Sequence, residues 1–74
     1  MEAWIARDKN EFVGTYLYLG GKPTRDEENG QWLPDSFDMI KLRSDLYPDI
    51  KWESEPIRVE VEISIKRNNE IKLL

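Results

Sequence analysis

The sequence contains no cysteine and no histidine among its 74 residues. Without thiols the chain cannot form disulfides, and without imidazoles it lacks the usual general base near neutral pH. A Ser-His-Asp triad, a Cys-His nucleophile pair and the common zinc sites are therefore excluded. We expect no catalytic residue, no metal site and no cofactor, and we predict that the chain is not an enzyme.

The sequence also lacks long apolar runs, since none reaches the roughly 18 residues that indicate a membrane-spanning helix. The formal net charge is −4, from 11 basic and 15 acidic residues. Nucleic-acid-binding proteins concentrate lysine and arginine on one face, and this composition does not favour such a face. The N-terminal stretch MEAWIARDKNE has no basic segment followed by an apolar one, unlike a secretory signal. We therefore expect no nucleic-acid partner, no membrane partner and a cytoplasmic location.

A chain of 74 residues is the size of one small domain. Small domains bury about 60% of their unfolded surface and often add disulfides, metals or oligomerisation. Here oligomerisation remains, or dense packing of three tryptophans, three tyrosines and two phenylalanines. We predict a single β-rich domain over residues 1–65. Residues 66–74 are predicted to be a polar tail, either disordered or turned back at Asn68-Asn69.

Alternating apolar and polar residues, short apolar runs and aromatic or β-branched residues between turn signals predict several short strands. The predicted strands are AWIAR (3–7), FVGTYLYL (12–19), QWL (31–33), DMIKLR (38–43) and IRVEVEISI (57–65). The first two form a hairpin, and a helix over 35–43 is the competing prediction for the fourth. Residues 20–30 are predicted to be irregular because they combine glycines, a proline and an acidic run. At most one short helical turn fits near residues 44–49.

The last strand shows the most regular alternation. Its apolar positions are Ile57, Val59, Val61, Ile63 and Ile65. A period of two predicts that this face lies on the core and the other in water. Because an isolated hairpin cannot bury such faces, the predicted fold class is mainly β. The architecture is a small antiparallel meander or an open, barrel-like sheet of four to five strands.

Aromatic residues are the candidate binding residues. Trp32 and Trp52 lie close to prolines at predicted loop or strand ends, where tryptophans can anchor a partner. The alternative is that they close the ends of a small core. Tyr16 and Tyr18 point away from Leu17, so they are predicted to form an exposed aromatic strip if Leu17 faces the core.

Four segments resemble a known group when they are taken in order: AWIARD, TYLYL, KPTRDEENGQW and DLYPDIKWESEPIRVEVEI. The group consists of short, uncharacterised proteins from gut bacteria and their mobile elements. Its pattern is W-[IV]-A-R-D, then K-P-x-R, a later Trp, and L-[FY]-P-x-[IV]-x-W-E before a terminal strand. The resemblance covers most of residues 3–63 and implies a bacterial or mobile-element origin. It implies no activity, and the residues after Ile65 extend beyond the pattern.

Three functions remain after these exclusions. The first is a non-catalytic protein-interaction or accessory protein that binds an unknown protein partner or associates with itself, most simply as a homodimer. The second is a small-ligand or carbohydrate binder that uses Trp32, Trp52 and the 20–31 loop. The third is a carboxylate-based enzyme, which needs a deep cleft that is hard to build at this length.

Overall fold

The computed structural model describes residues 1–10, 14–36, 38–63 and 71–73. These residues contain seven strands and no helix: β1 (Glu2–Arg7), β2 (Thr15–Tyr18), β3 (Thr24–Asp26), β4 (Gln31–Leu33), β5 (Met39–Leu42), β6 (Ile57–Ile63) and β7 (Ile71–Leu73). The predicted fold class, mainly β with antiparallel open sheets, is confirmed. The strand prediction over 38–43 is confirmed against the helix, with residue 37 outside the described residues.

Two sheets are formed, and β1 lies at the centre of the larger one. The five-stranded sheet has the order β5-β2-β1-β6-β7, and β3 and β4 form a separate two-stranded sheet. All the pairs are antiparallel. The predicted β1–β2 hairpin is present, with Ile5 opposite Leu17. The order is not that of a simple meander, because the β3–β4 hairpin separates β2 from β5 in sequence and β6 pairs on the far side of β1.

The prediction that residues 20–30 are irregular is wrong, because β3 lies within them and pairs with β4. The turn between β3 and β4 is stabilised by hydrogen bonds to a side chain within the charged run. The carboxylate of Asp26 accepts hydrogen bonds from the side chain and the backbone N–H of Asn29. Gly30 follows with a φ of 65°, a conformation that favours glycine. The acidic run is therefore the turn of a hairpin.

Both faces of the larger sheet carry an apolar cluster. One face carries the aliphatic core, whose buried members are Ala3, Ile5, Leu17, Ile50 and Val61. The other face carries the aromatic core, whose buried members are Ala6, Tyr18 and Trp32, with Trp4, Tyr16, Met39 and Trp52 packed against them. The period of two along β1 is thus confirmed, since Ile5 and Ala6 lie in different clusters.

The apolar face predicted for 57–65 is only partly buried. Val61 is buried and Val59 packs against the aliphatic core, whereas Ile57 is 44% exposed. The core prediction for Ile57 is therefore wrong, because the first residue of β6 lies beyond the cover of the core. The side chain of Ile63 and residue Ile65 lie outside the described part of the chain.

Backbone hydrogen bonds order parts of two segments, namely the C-terminal tail and the connection from β5 to β6. Residues 71–73 pair with β6, as expected if the tail turns back, whereas 64–70 and 74 lie outside the described residues. In the connection from β5 to β6, the N–H groups of Leu46 and Ile50 donate to carbonyls three residues earlier. These are isolated turns, so no helical turn forms over 44–49.

Candidate functional site

Arg7, at the end of β1, holds the first half of the long connection between β5 and β6. Its Nε donates to the carbonyl of Ile50 at 2.6 Å, and its Nη2 donates to the carbonyls of Ser44 at 3.0 Å and Tyr47 at 2.9 Å. Guanidinium N–H groups form strong bonds to oxygen acceptors because the donor is charged. We call this arrangement the Arg7 clamp, and it fixes an irregular segment onto the sheet.

Arg25, on β3, holds the second half of the same connection. Its guanidinium donates to the carbonyls of Trp52 at 2.8 Å, Ser54 at 3.2 Å and Glu53 at 3.5 Å. The guanidinium carbon also lies 4.5 Å from the ring centre of Trp32 and 4.7 Å from that of Trp52. Such distances give favourable cation–π contacts with both indoles. We call this arrangement the Arg25 clamp.

A buried carboxylate joins the β3–β4 hairpin to the end of β1. Asp8 is only 5% exposed, and its Oδ1 accepts the backbone N–H of Trp32 at 2.8 Å. The indole Nε1 of Trp32 donates in turn to the carbonyl of Arg7 at 3.0 Å. Burial raises the pKa of Asp8 above its ordinary value, and the hydrogen bond from Trp32 opposes this shift to a smaller extent.

The hydroxyl of Tyr18 is buried without a hydrogen-bond partner among the described residues. Burial and the negative charge of Asp8 together raise the pKa of Tyr18 far above its usual range, so the phenol stays neutral. Because Tyr18 is 1% exposed, the predicted exposed strip of Tyr16 and Tyr18 is wrong. The β3–β4 hairpin covers this face through Trp32, which packs on Tyr18 in the aromatic core.

The structure brings the two predicted tryptophans together but exposes them differently. Their ring centres lie 5.6 Å apart. Trp32 is 4% exposed, as the alternative core role requires, whereas Trp52 is only half-buried. Tyr16 is also half-buried, with its ring centre 6.3 Å from that of Tyr18. A binding role for Trp52 and Tyr16 stays a prediction.

An open groove of about 260 Å³ lies between the end of β1 and the β5–β6 connection. Its lining residues are Arg7, Asp8, Lys9, Pro48, Ile50, Lys51, Trp52 and Glu53. Among the four aromatic candidates, only Trp52 lines this groove, and the 20–31 loop does not contribute to it. Sequence reasoning missed Arg7 and Asp8. The sequence signal for these two residues was a charged pair at the end of an apolar strand, just before a turn.

Comparisons of the chain with protein-family models, with curated proteins and with solved structures give no significant match. Within the described residues, no cluster of three or more acidic side chains is arranged to hold a metal ion. The same residues contain no helix with the length and apolar character needed to cross a membrane. The site must therefore be interpreted from its own geometry.

Asp8 provides a test of the buried link through two matched substitutions. Asp8→Asn keeps an oxygen acceptor for the Trp32 N–H, whereas Asp8→Ala leaves that buried donor unpaired. We expect Asp8→Ala to lower the free energy of unfolding by about 1–3 kcal/mol. Urea unfolding followed by tryptophan fluorescence measures both variants.

The same pair predicts a dependence on pH. Because the folded pKa of Asp8 is raised, its stabilising contribution is complete below the unfolded pKa and is lost as pH rises through the folded pKa. The stability of Asp8→Asn relative to the unsubstituted protein should therefore increase from acidic to neutral pH. Asp26 and Asp45, whose pKa values are lowered, act in the opposite direction in both proteins and cancel in the comparison. A constant difference across this range would contradict the buried, desolvated carboxylate.

Proposed function

We propose that this chain is a non-catalytic protein-interaction domain whose binding element is the edge strand β5. The proposal includes a cytoplasmic accessory role in a bacterium or its mobile elements. The observation that carries it is the position of β5 (Met39–Leu42) at the end of the five-stranded sheet. An edge strand presents backbone N–H and C=O groups to which another strand can be added.

The hydrogen-bond pattern identifies which backbone groups of β5 point outward. The N–H of Leu19 donates to the carbonyl of Asp38 at 2.8 Å, next to the Tyr18–Met39 pair. In an antiparallel ladder, hydrogen-bonded and non-hydrogen-bonded pairs alternate. Ile40 therefore bonds towards β2, whereas the N–H and C=O groups of Met39 and Lys41 point away from the sheet.

The side chains of β5 leave apolar surface that an added strand would cover. Met39 contacts the aromatic core, and Ile40 and Leu42 contact the aliphatic core, yet all three are only partly buried. Lys41 is exposed between them and works against uncontrolled pairing, as charged residues on sheet edges do. An added strand would extend both cores at once.

A second copy of the chain is the simplest partner. When two copies of β5 pair antiparallel about a two-fold axis, even-numbered residues lie opposite even-numbered residues and odd-numbered residues opposite odd-numbered ones. Opposed side chains therefore lie on the same face of the sheet. Centring the axis on Ile40 places the two isoleucines opposite each other and Met39 opposite Lys41. This register brings no two like charges into opposition, whereas centring it on Lys41 would oppose two lysines.

The test is a pair of substitutions that remove the same charge. Lys41→Pro also removes the outward N–H of residue 41, whereas Lys41→Ala keeps it. This N–H does not bond to β2. We expect size-exclusion chromatography with light scattering to show a dimer for the unsubstituted protein and for Lys41→Ala. Lys41→Pro should be monomeric with an unchanged far-ultraviolet circular dichroism spectrum.

Two results would count against this edge. A monomer at the highest attainable concentration would exclude the second copy as the partner. A dimer that Lys41→Pro leaves intact would show that association uses a different surface.

A further inference from the structure

We propose that the groove between the end of β1 and residues 48–53 binds a small zwitterion, namely a free amino acid with an apolar side chain. This site is separate from the β5 edge, so the proposal does not depend on the interaction described above. Its support comes from the rigidity, the size and the charge distribution of the groove.

The groove walls are held in place although one of them is an irregular segment. The Arg7 clamp fixes the carbonyl of Ile50, and the Arg25 clamp fixes the carbonyls of Trp52 and Glu53. The floor is fixed as well, because Asp8 accepts the N–H of Trp32. A site whose walls are already ordered does not lose that conformational entropy when a ligand binds.

The lining combines one apolar surface with charges of both signs. Trp52, Ile50 and Pro48 provide the apolar surface for a ligand side chain. The ammonium groups of Lys9 and Lys51 are not held in any ion pair within the described residues, and both side chains are exposed.

The acidic residues of the groove require that the ligand also carry a positive group. Asp8 and Glu53 line the same space as the two lysines. A purely anionic ligand would be repelled by these carboxylates, and a purely cationic ligand would be repelled by the lysines. A ligand that carries one carboxylate and one ammonium satisfies both sets, and α-amino acids are the smallest common molecules of this kind.

The size of the groove matches a small ligand. Its volume of about 260 Å³ equals the share of roughly nine water molecules in the liquid. This space accommodates a single amino acid, whereas an oligosaccharide or a long peptide would extend far outside it. This proposal narrows the second function predicted from the sequence, a small-ligand binder that uses Trp52, to one class of ligand.

The test is a titration of the ¹⁵N-labelled full chain followed by heteronuclear NMR. Phenylalanine is compared with phenethylamine, which lacks the carboxylate, and with 3-phenylpropanoate, which lacks the ammonium group. We expect saturable shifts of the Asp8, Lys9, Lys51 and Trp52 amides with phenylalanine. Both analogues should bind at least about ten-fold more weakly, because each loses one charged contact.

A charge-matched pair of double variants completes the experiment. Lys9→Gln with Lys51→Gln should weaken phenylalanine binding about as much as removal of the ligand carboxylate does, by about ten-fold. Lys22→Gln with Arg58→Gln makes the same change in net charge outside both the groove and the β5 edge, and it should leave binding unchanged. The absence of saturable shifts would overturn the proposal, and so would equal binding of either analogue. Equal effects of the two double variants would show that only the net charge matters, which would also overturn it.

Discussion

Truncation of Trp32 to alanine is expected to remove most of the stability of the domain at 25 °C. Trp32 is 4% exposed and belongs to the aromatic core with Ala6 and Tyr18. Replacing a buried tryptophan by alanine costs about 3–5 kcal/mol through lost burial and the cavity that remains. Domains unfold with about 5–15 kcal/mol, and one this small lies near the lower limit. Far-ultraviolet circular dichroism and urea unfolding measure the loss.

Two further substitutions separate the contributions of Trp32. Trp32→Phe keeps an aromatic ring but removes the Nε1 donor to the carbonyl of Arg7, so we expect an intermediate loss of about 1–3 kcal/mol. Trp52→Ala removes a half-buried indole and should cost less than Trp32→Ala. If Trp52→Ala destabilised the protein as much as Trp32→Ala, the aromatic core would not be organised around Trp32.

Four strands of the larger sheet, β1, β2, β5 and β6, were predictable because their signal is local. IRVEVEI alternates apolar and charged residues with a period of two, and AWIAR is a short apolar run that ends at a polar turn. The hairpin of β3 and β4 was not predictable in the same way. Its first strand, Thr24–Asp26, contains no apolar residue, so nothing in its side chains indicates a strand. Its pairing depends on the turn at Asn29-Gly30 and on Trp32 of the partner strand.

The cover on the tyrosine face was missed because tyrosine fits both a wet and a dry surface. The alternation in TYLYL shows that Tyr18 and Leu17 lie on opposite faces, but it cannot show whether one face or both are covered. Coverage was decided by the β3–β4 hairpin, which lies over Ala6 and Tyr18 through Trp32. The same uncertainty made Trp32 and Trp52 equivalent in sequence, although one lies in the core and the other lines a groove.

The two clamps were beyond sequence reasoning because their contacts are long-range and end on backbone carbonyls. Arg7 contacts a carbonyl 43 residues away, and Arg25 contacts one 27 residues away. A carbonyl is present at every position, so the sequence contains no sign of which one will be bound. An arginine side chain is usually solvated, which is why neither residue was singled out. In a chain without disulfides, these two arginines attach the irregular β5–β6 connection to the sheet.

Replacement of Arg25 by alanine is therefore expected to lower the free energy of unfolding by about 2–4 kcal/mol. The substitution removes the hydrogen bonds to the carbonyls of Trp52 and Ser54 and the cation–π contacts with Trp32 and Trp52. The loss exceeds that of an ordinary surface charge because one guanidinium contacts two indoles and bonds to backbone at the same time. Thermal unfolding reports the stability, and the fluorescence maximum reports the average exposure of the three tryptophans.

Chemical rescue tests whether the planar guanidinium itself holds the segment. Arg25→Ala leaves a space beside the two indoles that N-ethylguanidinium can occupy and ethylammonium fills less well, because an ammonium lacks the planar fork. We expect N-ethylguanidinium to raise the melting temperature of Arg25→Ala above that in equimolar ethylammonium, with no such difference for the unsubstituted protein. Arg25→Lys keeps the charge and should recover less than half of the lost stability, since a lysine cannot stack and reach several carbonyls together. Full recovery by lysine would show that the charge alone stabilises this segment and that the geometry of the Arg25 clamp contributes little.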